Sequence, residues 1–582
     1  MVLSCFCAPF VGVNNLQSGA EGGLLQDWFC LVKLLCSKAM TVTGLWPLLQ
    51  KRGIVRSARG ADARQLLEGK RIAIDVSCWA VQGSVMEHAS GQRPSDTRCQ
   101  HFLAISFWRV TRYLRLGCFP LAVVEGLCPK AKRRRRDRDG EFQRSVKLVG
   151  ELFVAMGCPI VAATGEAEEC CAKMVSAGLV DAIECPDSDL FPFGATGLLL
   201  KSVERQNVWS IEYVDFEAVF ASVGLHQHGW ISLAALAGCD FLPAGCKGVG
   251  AEKALHCVFA LVKHFGDDAS LKDHVTAALD MGLPAELQKF SRFTGCQTCK
   301  RCGHGTIGKL KHGALGCLEC KTTKSQGGRG GCLPRAAGAC PCDFHQHYDF
   351  VVLARVFATP DSLPPSSLVR LMWETYEGTP LDDVDVTWTR PDMEACWRFL
   401  SIQCGSPRAE TIKYMLPAVL VYDLLHPNNL DTVFVPSAVA GECVVGLAPE
   451  EKNNPTKSLA VVQWTSAAGC DVDAELLHML NQLPRPKRCI SKQLALRHIP
   501  GLVEEYCRVE LARRAHLVGL KASSKNKEHW LAEARAVCCD FWLLPVIPNS
   551  IVADIDVWVD AWSRQVPKRQ RSLNSFFKQS PS

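Results

Sequence analysis

The sequence predicts an α/β protein whose core is a mostly parallel, twisted sheet flanked by helices. Three observations carry that prediction: short β-branched apolar runs from residue 70 onward, helix-length amphipathic segments among them, and acidic residues at the run ends. The runs are "KRIAIDVSCW", "FPLAVVEG" and "LVDAIEC", and the helical segments are residues 99–116, 143–156 and 166–177. Such alternation joins parallel strands through crossover helices and gathers the carboxyl ends of the strands at one edge. Asp75, Glu125, Asp187 and Asp189 would then share that edge.

At 582 residues the chain is too long for one core, and two to four domains plus tails are expected. Hydrophobic residues make up 48% and charged residues 21%, ordinary for a folded soluble protein. The net charge of +6 permits nucleic-acid binding without requiring it. The 31 cysteines, with no recognisable signal peptide, point to a reducing compartment with free thiols and a metal site rather than a disulfide scaffold. Residues 1–39 resemble neither a secretory signal nor a mitochondrial presequence, and no apolar run is long enough to predict a membrane span.

Two further acids, Glu166 and Glu168, stand in "ATGEAEECCAKMV", where a glycine precedes a helix start, and Asp240 stands in "GCDFLPAGCKGVGAEKA". Taken singly, each reads as a cap or a first-turn complement to a helix dipole. Seven carboxylates in one crevice repel each other strongly unless cations are present. Mg²⁺ takes oxygen ligands octahedrally. Two such ions roughly 3.5–4 Å apart can activate a water and stabilise both oxygens of an in-line displacement at phosphorus. The cluster therefore points to metal-dependent phosphodiester hydrolysis. Gly248, Val249 and Gly250, ahead of a helix carrying Lys253, suit close approach of a DNA backbone to amides at a helix start.

"TVTGLWPLLQKRG", "KRIAIDVSCW", "VVEG", "GEAEE", "CPDSD" and "GCDFLPAGCKGVGAEKA" occur in that order. Together they resemble the flap-endonuclease or XPG superfamily of structure-specific nucleases over about residues 40–265, most of all the Gen-type Holliday-junction resolvases. The resemblance implies a PIN-like α/β nuclease core with Asp75, Glu125, Glu166, Glu168, Asp187, Asp189 and Asp240 as catalytic ligands of two Mg²⁺ ions. It also implies a helix-two-turn-helix at Gly248, Val249, Gly250 and Lys253 that binds duplex DNA and in relatives holds K⁺. Relatives begin at Met-Gly, whereas here Met40-Thr41 follows 39 residues, which favours Met40 as the true start. Where flap endonucleases carry a helical arch, this chain has only "GLCPKAKRRRRDRDGEFQ", so the arch's basic DNA-binding residues would fall among Lys130, Lys132 and Arg133 to Arg138. Without a large capped arch a free 5′ end is not required, which favours four-way junctions while leaving 5′ flaps as substrates.

Beyond the core, Cys299, Cys302, Cys317 and Cys320 have near zinc-ribbon spacing, with Cys296, His304, Cys332, Cys340, Cys342 and His345 available for a second site. The runs "TVFVPSAV", "GECVVGL" and "SLAVVQWTSA" read as three strands before helical sequence from about 470, weakly resembling the chromodomain of Gen-type enzymes. In the tail, Gln570, Leu573, Phe576 and Phe577 fit the Q-x-x-L-x-x-F-F pattern of peptides that dock on the sliding clamp PCNA.

The expected organisation starts with an extension or upstream mis-start at 1–39, then nuclease regions at 40–142 and 143–265, and a linker with the Cys-rich insert at 266–345. A helical region at 346–430, a chromodomain-like β module at 431–500, a helical region at 501–560 and the clamp-peptide tail at 561–582 would follow. The expected function is a nuclear, Mg²⁺-dependent endonuclease of DNA repair and recombination, acting as a homodimer on four-way junctions. Two rivals stay open: a PCNA-tethered 5′-flap endonuclease or exonuclease, and a non-catalytic branched-DNA or clamp-binding scaffold.

Overall fold

The computed structural model describes residues 42–79, 100–126, 140–205, 208–266, 271–293, 316–317, 322–323, 343–378, 381, 384–443, 459–470, 472–484, 488–519, 527–542 and 544–565. Lys130, Lys132, Arg133, Arg138, Cys299, Cys302, Cys320 and the clamp peptide lie outside them. The main sheet contains β1 (Arg56–Arg59), β2 (Arg71–Asp75), β3 (Phe119–Val124), β4 (Ile160–Ala162), β5 (Ala182–Glu184), β6 (Leu198–Arg205) and β7 (Val208–Asp215). Its order is β1-β7-β6-β5-β2-β3-β4. Pairings β2–β3, β3–β4, β2–β5 and β5–β6 are parallel, whereas the β6–β7 hairpin and β1 add an antiparallel edge.

Alternation along the strands makes three layers. Ile72 and Ile74 of β2, Ala122 of β3 and Ala182 of β5 enter one buried cluster, while Ala73, Leu121, Val123 and Ile183 enter another. Side chains alternate faces along a strand, so both faces are apolar and both need helices. Helices α1 (Leu45–Lys51), α2 (Gln100–Arg115), α3 (Gly140–Ala155), α4 (Ala167–Ser176), α5 (Gln227–Ala237) and α6 (Ala251–Phe265) belong to this core. Phe107 of α2 and Phe153 of α3 cover one face; Met174 of α4, Leu236 of α5 and Val258 of α6 cover the other. The helices expected at 99–116, 143–156 and 166–177 thus form within a few residues of those bounds.

Four later helices complete the two layers: α7 (Tyr348–Phe357), α8 (Ser366–Glu377), α9 (Met393–Cys404) and α10 (Arg408–Leu425). Trp373 of α8 is buried with helices α4 to α6, and Leu400 of α9 with α2 and α3 on the opposite face. In α10, Met415 and Ala418 face the nuclease core, while Leu416, Val419 and Leu420 face a third apolar cluster with Phe434, Val462 and Trp542. That helix therefore belongs to two cores at once.

Further strands are the short antiparallel pair β8 (Gly316–Cys317) and β9 (Thr322–Thr323), and a sheet of order β10-β11-β12 with β10 (Phe434–Cys443), β11 (Leu459–Ser466) and β12 (Cys489–Ile490). The runs "TVFVPSAV" and "GECVVGL", expected as separate strands, are here one strand across the described residues. Register shifts between Pro436 and Ala438 and between Val439 and Gly441 absorb the proline and glycine as bulges, so pairing with β11 continues.

The strap of residues 384–392 ties these parts together. Thr389 N–H donates to the Gly157 carbonyl, and Trp388 Nε1 donates to the Pro120 carbonyl at 2.7 Å. Arg390 donates through Nε at 2.7 Å and through its second terminal nitrogen at 3.0 Å to Asp423 of α10. Asp423 is 1% exposed and also accepts the Val433 and Phe434 backbone N–H groups at the start of β10. Removing one partner of such a buried pair strands the other charge. Asp423→Ala should therefore cost about 3–5 kcal/mol in urea unfolding, and a loss below about 1 kcal/mol would show that the carboxylate is not what ties these elements.

Candidate metal centre at the strand ends

Parallel register sets the heights of the site residues. Asp75 ends β2, Glu125 follows β3 directly, and Asp187 comes three residues after β5, whose Glu184 pairs with Ile74. Asp75 is fully buried, and its Oδ1 accepts the backbone N–H groups of Ser77 at 2.8 Å and Cys78 at 3.4 Å. The turn out of β2 thus fixes the carboxylate. Its Oδ2 receives the thiols of Cys78 at 2.8 Å and Cys185 at 3.5 Å, and the two sulfurs are 3.6 Å apart. Half-buried Glu125 accepts the Ser77 hydroxyl at 3.2 Å.

Gly126 explains how the next loop arrives. Its N–H donates to the Gly165 carbonyl at 2.9 Å, and a Cβ there would lie 1.9 Å from the Ala163 carbonyl oxygen. Only glycine lets the end of β3 approach the β4–α4 loop so closely. That loop delivers Glu166, immediately before α4, and Glu168 in its first turn; both are buried. After β5, Asp187 caps the single turn Ser188–Leu190, its Oδ1 accepting the Asp189 N–H at 2.8 Å. Asp189 Oδ2 accepts the hydroxyl of Tyr376 from α8 at 2.9 Å, and the rings of Phe193 and Phe241 stand edge-on to Tyr376 at 4.8 and 4.9 Å. Asp240 follows α5 and is half-buried.

Electrostatics show which groups meet. Burial pushes the Asp75 carboxyl up, and the neighbouring Glu125 charge pushes it further. The Asp187 carboxyl is held well above the usual carboxylate range by burial, then by Asp189, Glu168 and Asp240. The donor atoms of Asp75, Cys78, Glu168 and Cys185 lie within 4.8 Å of one another, joining the two groups. Six of the seven expected acids thus converge, and Glu166 is buried two residues from Glu168. Carboxyls that raise one another's proton affinity in a buried crevice fit a divalent cation, whose charge reverses the repulsion.

The two cysteines stand inside the motifs "DVSCW" and "IECPDSD", and their proximity is visible only once β2 and β5 are known to pair. Tyr376 carries no local signal at all, being 187 residues from Asp189.

A second feature lies at the start of α6. Gly248 has φ +78°, a left-handed conformation suited to glycine, and Lys253 Nζ donates to its carbonyl at 2.9 Å. Val249 is buried, and a cleft of about 390 Å³ opens between α1 and the N-terminal end of α6, lined by Gly44, Lys51, Gly250 and Lys253 among others.

Residues 40–144 match the XPG N-terminal domain and residues 157–240 the XPG I-region. The flap endonuclease GEN-like 1 of Arabidopsis thaliana is 27% identical over 315 residues, covering 48% of this chain and 49% of the relative. The human flap endonuclease GEN homolog 1 is 26% identical over 326 residues, covering 53% of this chain and 33% of the relative. The chain thus spans about half or less of the length of these two curated relatives. Among solved structures, human GEN1 in complex with Holliday junction DNA is 17% identical with a TM-score of 0.49, covering 81% of this chain and 99% of that one.

Without metal, the raised carboxyls of Asp75 and Asp187 bind their protons more tightly than in the unfolded chain. Their contribution favours folding at low pH and is lost as pH rises through the native values. Asp187→Asn removes one of these burdens, a gain on the order of 1 kcal/mol. In EDTA at neutral pH the variant should melt about 2–4 °C higher than the parent, with the gain vanishing below about pH 4. An unchanged Tm at neutral pH would show that Asp187 is under no such repulsion.

Proposed function

We propose that this chain, whose core is the paired XPG N-terminal domain and I-region, is a Mg²⁺-dependent structure-specific DNA endonuclease of repair and recombination. Its preferred substrate is the four-way junction, with 5′ flaps also cut. The carrying observation is the convergence of Asp75, Glu125, Glu168, Asp187, Asp189 and Asp240 at the strand ends, with the Asp187 carboxyl pushed up by burial and then by its acidic neighbours. The names of the relatives, flap endonucleases, support the same reading.

The seven acids, Glu166 included, hold the cations. When bound, Mg²⁺ supplies the positive charge that activates a water and offsets the charge developing at phosphorus. Ser77 and Cys78 orient Asp75 through their N–H groups, and Tyr376 orients Asp189 through its hydroxyl. The cleft beside α1 and the start of α6, with Lys51, Lys253 and the amides that begin α6, suits a duplex phosphate backbone, and the Gly248–Gly250 turn would hold K⁺. Backbone contacts carry no base sequence, so branch geometry decides where the enzyme cuts.

Four outer elements complete the proposal. The antiparallel pairing of Gly316–Cys317 with Thr322–Thr323, beside the two Cys-x₂-Cys spacings, supports a zinc knuckle from Cys299, Cys302, Cys317 and Cys320. The β10-β11-β12 sheet serves as the chromodomain-like DNA-gripping module. The terminal peptide at Gln570, Leu573, Phe576 and Phe577 docks on PCNA, and two copies of the chain act together on one junction in the nucleus.

The deciding experiment compares Mg²⁺-dependent cleavage of a four-way junction and a single 5′ flap, with Asp187→Ala alongside. Paired symmetric nicks in the junction, absent in Asp187→Ala, are expected. Flap cutting alone would move the chain to the clamp-tethered flap endonucleases, and binding without cleavage would make it a scaffold. In the same assay Tyr376→Phe, which keeps the ring and loses the donor to Asp189, should raise the Mg²⁺ needed for half-maximal cleavage about tenfold. An unchanged requirement would remove Tyr376 from the site.

A further inference from the structure

The side chains around Asp75 are not all carboxylates. Cys78 lies three residues beyond the end of β2, and Cys185 follows β5 directly. Because β2 and β5 pair in parallel, with Ile74 opposite Glu184, the residues just past both strands meet at one edge. Both sulfurs are there beside Asp75 Oδ2, and Glu168 brings a carboxylate oxygen from α4 into the same group.

The spacing is that of a particular coordination. A tetrahedral ion with bonds of about 2.3 Å to sulfur and about 2.1 Å to carboxylate oxygen sets S···S at about 3.8 Å and S···O at about 3.6 Å. The Cys78–Cys185 sulfurs are 3.6 Å apart, and Cys185 Sγ is 3.5 Å from Asp75 Oδ2. The Cys78–Asp75 contact, 2.8 Å as a thiol hydrogen bond, has to open. All four donor atoms lie within 4.8 Å of one another. Hard cations such as Mg²⁺ gain nothing from sulfur, whereas two thiolates beside two carboxylates favour a softer ion.

We propose that Cys78, Cys185, Asp75 and Glu168 form an S₂O₂ site for a thiophilic divalent cation of the Zn²⁺ class, alternative to the all-oxygen arrangement. The proposal rests on reading this crevice as a divalent-cation centre. As the ion enters, two sulfur–metal and two oxygen–metal bonds form, and the two S–H protons leave to solvent together with any proton held by Asp75 or Glu168. Occupancy takes Asp75 and Glu168 from the oxygen-only arrangement, so a zinc-class ion competes with Mg²⁺ instead of substituting for it.

Co²⁺ is the probe, because thiolate ligation gives a near-ultraviolet charge-transfer band and tetrahedral geometry gives intense visible bands. Full-length, metal-stripped protein is titrated with Co²⁺ and compared with the Cys78→Ser/Cys185→Ser double variant. The difference between them isolates this site from any ion held by the Cys-rich segment. The wild type should bind one more equivalent with thiolate bands than the double variant. Cys171→Ser, which removes another buried thiol of the same region, should match the wild type. Equal equivalents and equal band intensity in wild type and double variant would overturn the proposal. If the double variant does not fold, as judged by circular dichroism, Cys78→Ser alone decides: a weakened thiolate band supports the site and an undiminished one overturns it. The readout is the metal itself, so a chain that failed to cut DNA would still report on the thiol site.

Discussion

Parallel pairing of β2 with β3 and β5 is the constraint from which the rest follows. It brings three strand ends to one level, and each end carries an acid at or just past its last residue: Asp75, Glu125 and the Asp187–Asp189 pair. The sheet could instead have ended in neutral loops at no cost to its apolar layers, since those are supplied by residues farther back, such as Ile72, Leu121 and Ile183. Asp75 and Asp187, when ionised without a cation, oppose folding, because burial and neighbouring carboxylates raise both carboxyls. A buried feature that opposes folding is kept in place by what surrounds it.

What surrounds it comes both from neighbouring turns and from far along the chain. Donors from the turn after β2 hold Asp75, a glycine contact at Gly126 closes the β4–α4 loop onto Glu125, and a tyrosine from α8 holds Asp189. Helix α8 is itself locked by Trp373, buried in the same apolar layer as α4, α5 and α6. The strap at 384–392 and the Arg390–Asp423 pair then join that layer to α10 and the β10 sheet. A helix C-terminal to the residues that match the two XPG regions thus positions Asp189. A fragment ending at residue 265 would keep every acid and lose the tyrosine.

The central strands, the crossover helices and the shared edge of acids were legible in the sequence, because period-two burial and the position of an acid after an apolar run are local signals. The β6–β7 hairpin was not singled out, since both strands alternate on a surface that one of them shares with β1. The division of β10 failed for a stated reason: Pro436 and Gly441 read as breakers, and a bulge lets a strand carry both. Tyr376 and the Cys78–Cys185 contact depend on tertiary pairing over 187 and 107 residues, and no periodicity encodes that.

The thiols also sharpen what the crevice selects. Each thiol hydrogen-bonds Asp75 Oδ2, so with only oxygen-seeking cations at hand the sulfurs act as neutral donors that temper the charge of a fully buried carboxylate. Burial favours the protonated thiol in Cys185, and its contact with Cys78 together with burial does so in Cys78. A soft ion reverses that balance, because sulfur–metal bonds replace the S–H bonds and Asp75 changes from hydrogen-bond acceptor to ligand. The same four side chains then distinguish cations by softness as well as by size. Serine at both cysteine positions would preserve two donors to Asp75 and erase the distinction, which separates a hydrogen-bonding role for these residues from a metal-selecting one.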